Sequence, residues 1–283
     1  MSKVLDSQGR GFCKCWLPSA ELIGVLPIIV LSLMARVAGF AAQLTNESSA
    51  IDLRPAFTNW GLPLRLQGGR GTCSVVTMAG ALEYALARDQ RHGTVLSVEF
   101  LNWASNEATT NLLDGGFFSD LWTGFVAYGI CPEADMPYQP HYNPKLRPAE
   151  IALRRAKELG RADLRLHWIK PWDVRTGLSS AQALEIKRVL SQRWPVCGGL
   201  RWPKQERWEE GVLQMAPPER VFDGHSVLLV GYADDPKQPG GGTFLIRNSG
   251  RGVHDGALTY EYVSAYMNDA AWIDHGPEAG LGP

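Results

Sequence analysis

The 283-residue chain carries no surplus of charge: 28 lysines and arginines stand against 29 aspartates and glutamates. Polyanions are held by dense basic surfaces, so no nucleic acid is expected among the partners. Cysteine is scarce, five in all, which excludes a small domain stapled by disulfides. Long apolar runs are missing too. The longest, Leu22 to Ala35, spans 14 residues broken by Gly24 and Pro27, short of the ~20 that cross a bilayer as a helix. No stable membrane span is expected. No repeat with a period of about 20 to 50 residues signals a solenoid. No spacing of His, Cys, Asp and Glu matches a metal site, and the glycine-rich Gly68 to Thr72 lacks the lysine of a phosphate-binding loop. Neither metal nor cofactor is expected. What is present is 45% hydrophobic residues with 30 Gly and 18 Pro, a composition that buries one sizeable core in a loop-rich α+β protein of enzyme size, expected to be a monomer.

Lys3, Arg10 and Lys14 precede the apolar run and Gly39-Phe40-Ala41 follows it, the order of an export signal. The expected division is a signal peptide over residues 1–41, a linker over 42–51 and a single domain over 52–283, with a secreted or periplasmic product. A long basic segment and Arg36 at the exit leave an uncleaved membrane anchor, or a start codon placed early, as the alternatives. Removal of Cys13 and Cys15 leaves Cys73, Cys131 and Cys197, so at most one disulfide forms and one thiol stays free.

The first half of the domain reads as helices. From Cys73 to Ala87, apolar Val75, Met78, Ala79, Leu82 and Leu86 share one face, predicting a buried helix with Thr72 as N-cap. Further helices are expected over Val98 to Ala104, Ser119 to Tyr128 and Pro148 to Leu159. Another is expected over Ala181 to Trp194, opened by a capping box of Ser179 and Gln182 and stopped by Pro195. The second half turns to strands. Ser226 to Tyr232 and Thr243 to Arg247 are β-rich runs around a loop full of Asp, Pro and Gly, an antiparallel hairpin. A symmetric register that pairs Leu229 with Phe244 sets His225 directly opposite Asn248.

A cysteine attacks as its thiolate, which a helix N-terminus and a neighbouring imidazolium favour. Cys73 opens a helix, His225 lies 152 residues on, and Asn248 a further 23. The chain order is nucleophile, base and orienter, and a depressed Cys73 pKa with early alkylation in mild acid is expected. Gln67, six residues before Cys73, can present its amide beside the Cys73 N–H to hold an oxyanion. A cysteine taken alone reads as core, as Cys131 and Cys197 do here, with a Cys131–Cys197 disulfide as the alternative; the company of Gln67, His225 and Asn248 reverses that reading for Cys73. His92, His141, His167 and His275 are read as structural.

Gln67-Gly-Gly-Arg-Gly-Thr-Cys73 resembles the Gln-Gly-x-Cys-Gly-Ser-Cys segment of papain-like cysteine peptidases. Gly224-His225-Ser-Val-Leu-Leu-Val-Gly-Tyr232 resembles their histidine strand, and Phe244-Leu-Ile-Arg-Asn248-Ser249 their Asn-Ser-Trp-Gly segment. Asp114-Gly115-Gly116 is similar to the wall whose backbone binds an extended peptide, and the similarity runs roughly over residues 52–273. It implies a two-lobed fold, a helical lobe and an antiparallel β lobe with the cleft between them, and thiol-dependent hydrolysis of peptide or protein substrates. Cys73, His225, Asn248 and Gln67 are then the catalytic set, with Gly115 and Gly116 on the substrate backbone. Asp223 would help line the pocket for the second residue before the scissile bond, favouring Arg or Lys, whereas Phe117 and Phe118 favour an apolar side chain.

Departures accompany the likeness. Arg70 stands where the family has a cysteine, so that disulfide is missing; Ser74 replaces an aromatic residue; and Gly250 replaces the tryptophan that shields the His–Asn pair. A weakened site is expected unless another aromatic, such as Trp202 or Trp272, fills the space. About ten residues between the expected cut and Asp52 are too few for an inhibitory prodomain. These departures keep two alternatives open, a peptide-binding or weakly active pseudo-peptidase and a thiol transferase or amidase on the same fold.

Overall fold

The computed structural model describes residues 49–160, 163–250 and 255–276, the side chain of Asp223 excepted. The expected signal peptide lies outside these residues, as do Cys13, Cys15 and His254. The helices are α1 (Arg54–Asn59), α2 (Cys73–Ala87), α3 (Val98–Thr109), α4 (Phe118–Tyr128), α5 (Glu150–Leu159), α6 (Ser180–Ser191) and α7 (Tyr260–Tyr266). The strands are β1 (Ala50–Asp52), β2 (Leu164–Lys170), β3 (Val196–Pro203), β4 (Trp208–Glu209), β5 (Val212–Leu213), β6 (Val221–Asp234), β7 (Gly242–Arg247), β8 (Ala257–Thr259) and β9 (Met267–His275).

Helix α2 occupies the span its apolar pattern predicts and is buried on nearly every side, only Val76, Gly80 and Leu86 being partly exposed. Small residues let β6 approach it: a Cβ added at Gly80 would meet Leu228 Cδ2 at 3.3 Å. Thr72 does not cap it. Its hydroxyl is drawn instead to Tyr138 Oη at 2.6 Å, a tertiary bond that competes with the local one. Helix α3 runs five residues beyond the expected Ala104, because α4 crosses it there with Gly124 seated on Ala104 and Ser105. Helix α5 starts two residues after Pro148. Ser179 and Gln182 form the expected capping box, and α6 ends at Ser191, before Pro195 is reached.

The strands form one sheet in the order β2-β9-β3-β6-β7-β8-β5-β4, with β1 also paired to β6; only β5 and β8 run parallel. Pairing of Ala50 with Ala233 means that the expected linker gives way to sheet before its end at residue 51. One large core joins α2 to the sheet, and a smaller cluster of Phe100, Ala104, Cys131, Met136, Ala152 and Ala156 lies beneath α3 and α5. The helical lobe and the β lobe are thus built as the motif resemblance implies. Cys131 and Cys197 are both buried and free, which removes the alternative of a disulfide between them. Among the described residues no helix is long and apolar enough to cross a membrane.

The hairpin register differs from the symmetric one. Leu229 pairs with Ile246 and Leu228 with Arg247, a slip of two residues, and the ladder shifts again between Leu229 and Gly231. The irregularity and a helical turn at Pro239–Gly241 take up chain length that a symmetric loop would share equally. Continued one step, the ladder puts Asn248 opposite Val227, so His225 is its diagonal neighbour on the same face, still within side-chain reach.

Candidate active site

Cys73 at the start of α2 and His225 in β6 line one cavity of about 360 Å³, together with Gly116, Phe117, Trp172 and Asp269. The cavity therefore lies between the two lobes. The Cys73 thiol points at the Gly224 carbonyl oxygen, 3.6 Å from its sulfur. His225 Nε2 lies 2.8 Å from Asn248 Oδ1, and the Gly250 N–H donates to the same oxygen at 3.0 Å. Two contacts converging on Oδ1 assign it as an acceptor, so Nε2 carries the imidazole proton and Nδ1 is left as the basic nitrogen.

Burial acts on both partners. It pushes the Cys73 thiol up, with the backbone N–H groups of Ser226 and Ser74 pulling partly back, and it pushes the His225 imidazole down against the Asn248 bond. Burial thus works against the depressed thiol pKa expected from the helix N-terminus and the neighbouring imidazolium. Burial pushes Cys131 up to about 12, and raises Cys197 as well. Both are wholly enclosed.

Gly250 does lie over the His–Asn pair: a Cβ there would sit 3.3 Å from Asn248 Oδ1 and 3.4 Å from His225 Cε1. The pair is nonetheless covered. The Trp202 ring packs on the His225 ring with centroids 4.5 Å apart, and Glu206 anchors the indole by accepting from Nε1 at 2.8 Å. His225 is 9% exposed and Asn248 1%. Trp272, the other candidate, stacks on His167.

The segment before Cys73 is clamped. The Arg70 guanidinium is buried, with Nη2 on Asp114 Oδ1 at 2.7 Å, Nη1 on Glu99 and on the Gln139 carbonyl, and the Tyr138 ring beneath it at 4.5 Å. Burial opposes this charge, but Asp114 and Glu99 outweigh it and raise the pKa. Asp114 belongs to the expected substrate wall, and there the two backbones touch: a Cβ on Gly71 would strike the Asp114 carbonyl and one on Gly115 the Gly71 carbonyl. Glycine at both positions permits that approach. Ser74 accepts from the Gly116 N–H at 3.3 Å and Asn102 from the Gly115 N–H at 2.9 Å, which orients the wall. Gly116 lines the cavity.

Gln67 is not among the residues that line this cavity. Its Oε1 accepts from Ser249 Oγ at 2.9 Å, its Nε2 donates to the Arg70 carbonyl at 2.7 Å, and its backbone N–H donates to Ser249. Asp223 belongs to β6, and only its backbone is described. Among the described side chains, the carboxyl that lines the cavity is Asp269, which the motifs did not indicate. It sits at a β9 irregularity where Gly199 pairs with Asp269 but Leu200 with Met267, and a side chain at Gly199 would overlap its carboxylate. Burial raises it to about 6, with Lys170 and the Gly199 N–H pulling the other way.

Comparison with known proteins agrees with this arrangement. A family profile described as papain family cysteine protease matches residues 48–264. Among solved structures, the chain is similar to xylellain, a cysteine protease from Xylella fastidiosa, at 20% identity and a TM-score of 0.63, covering 81% of this chain and 87% of that one. It is also similar to digestive procathepsin L 3 of the Tenebrio molitor larval midgut at 19% identity and a TM-score of 0.59, covering 81% and 71%. The ragweed pollen allergen Amb a 11, a cysteine protease in its proform, aligns at 20% identity and a TM-score of 0.60, covering 83% and 68%. No curated protein sequence matches the chain.

Proposed function

Because the chain belongs to the papain family of cysteine proteases, we propose that its cysteine-type peptidase activity runs through Cys73, His225, Asn248 and Gln67. The Cys73 S–H proton passes to His225 Nδ1 as the sulfur attacks the peptide carbonyl. The oxyanion is received by the Cys73 N–H and the Gln67 amide. The C–N bond then breaks, the imidazolium protonates the leaving amine, and water activated by His225 hydrolyses the thioester. Asn248 holds the imidazole so that Nδ1 faces the sulfur. The observation that carries this reading is the 2.8 Å contact of His225 with Asn248 on the wall of the cavity that also holds Cys73. The Trp202 cover supports catalysis over a binding-only role, since a module that only holds peptide has no use for a shielded imidazole. An epoxide thiol trap, read by peptide mass mapping, tests it: modification at Cys73 with loss of peptide cleavage is expected, and modification elsewhere, or cleavage surviving Cys73→Ala, refutes it.

We further propose that the cavity takes a lysine or arginine side chain of the substrate. Asp269 is the acidic side chain among its described lining residues, and Phe117 and Trp172 supply faces for the aliphatic stem. The N-terminal run supports export, with cleavage near Ala41 and a peptidase domain beginning near Asp52; sequencing the N-terminus of the secreted product tests that division.

A further inference from the structure

Gln67 has two amide hydrogens, and one of them goes to a single acceptor, the Arg70 carbonyl. Its amide oxygen is engaged by Ser249. With both ends of a planar amide bonded, the direction of the second N–H follows from the plane. The position of the Arg70 carbonyl therefore sets where that hydrogen points.

We propose that Arg70 is a positioning residue, its buried guanidinium fixing the carbonyl that aims the Gln67 amide. The proposal rests on the reading of Gln67 as an oxyanion donor. The guanidinium is tied to three separate parts of the helical lobe: Glu99 on α3, Asp114 on the wall, and the Gln139 backbone, with Tyr138 against its face. The side chain is only 3% exposed. Tyr138 contributes twice, since its hydroxyl also donates to the Gln67 carbonyl oxygen at 2.9 Å. A planar fork bound on its edges and face cannot translate without breaking several bonds at once. A donor aimed before the charge develops needs no reorganisation during reaction, which is the condition for a large electrostatic effect.

The test is a double-mutant cycle on kcat and KM with one peptide substrate. Gln67→Ala should lower kcat about 100-fold. Arg70→Lys keeps the charge but loses the fork; it should lower kcat about tenfold with KM within about twofold, but cost less than about twofold in the Gln67→Ala background. Alkylation of Cys73 by iodoacetamide, which forms no oxyanion, should proceed at the parent rate in Arg70→Lys. A purely structural role would slow alkylation together with kcat. Additive losses, unchanged kcat, or a loss confined to KM would overturn the proposal. Should Arg70→Lys fail to fold, Asp114→Asn, which loosens one jaw of the clamp at a partly exposed position, enters the same cycle with a smaller expected loss and the same criterion. If Gln67→Ala itself leaves kcat unchanged, the oxyanion reading falls and this inference with it. If Gln67→Ala is damaging and Arg70→Lys additive, only the inference falls.

Discussion

On the Cys73 side of the cleft, the loop leading to Cys73 is held by opposite charges largely withdrawn from water, with Arg70 between Glu99 and Asp114 and, less deeply, Arg65 on Glu83. On the opposite side, His225 is held by an uncharged amide and covered by Trp202. Packing contacts fail by degrees, since a smaller ring still fills part of the space. A buried ion cluster fails abruptly, because removing one member leaves the others desolvated and unpaired.

The largest effect tests whether the two sides make one site. Cys73→Ala and His225→Ala should each lower kcat/KM by on the order of 10⁴-fold or more, with the double variant no worse than either, in a fluorogenic peptide assay. Independent effects would separate the two sides.

Arg70→Met should cost about 3–5 kcal/mol in urea unfolding, and adding Glu99→Gln and Asp114→Asn should restore much of it. A loss below about 1 kcal/mol would place the cluster in water-like surroundings. Selectivity should respond to acid with a defined sign. Asp269, raised to about 6, is ionised above that pH, so preference for lysine or arginine over norleucine should hold near pH 7.5 and decline as pH falls through 6. Asp269→Asn should lose the preference, about tenfold, and its pH dependence with it. On the packed side, Trp202→Leu should lower kcat about tenfold by admitting water to the His225–Asn248 bond. Smallest of all, Gly250→Trp should change kcat by less than about twofold, since Trp202 already covers the pair and a Cβ is already tight there. A clear gain from Gly250→Trp would show the cover to be incomplete.

Much of the frame was legible because its signals are local. Helix α2 begins and ends where its apolar pattern does, and Ser179 with Gln182 caps α6 as spaced. The proximity of His225 to Asn248 survived an incorrect register because diagonal neighbours on one sheet face still touch. What was hidden depends on the sheet order. Asp269, which no motif indicated, and Trp202, which the sequence offered only on equal terms with Trp272, come from β9 and β3, and they reach the cleft because β9, β3 and β6 lie side by side, a neighbourhood that no local period encodes. Shifts of register between Leu200 and Trp202 and between Gly199 and Leu200 then turn these side chains. Arg70 carried the opposite ambiguity. Its position marked it as a departure, but nothing local named Glu99 and Asp114 as its partners.

The clamp around Arg70 also bears on how the protein can be handled at the bench. Cysteine peptidases are assayed in reductant so that the nucleophile does not oxidise, and a reductant strong enough for that purpose attacks any strained structural disulfide as well. Here the described cysteines are all thiols and the loop before Cys73 is fastened by charge. Dithiothreitol should therefore restore an oxidised preparation without loosening the loop, and the melting temperature should be the same in its presence and absence.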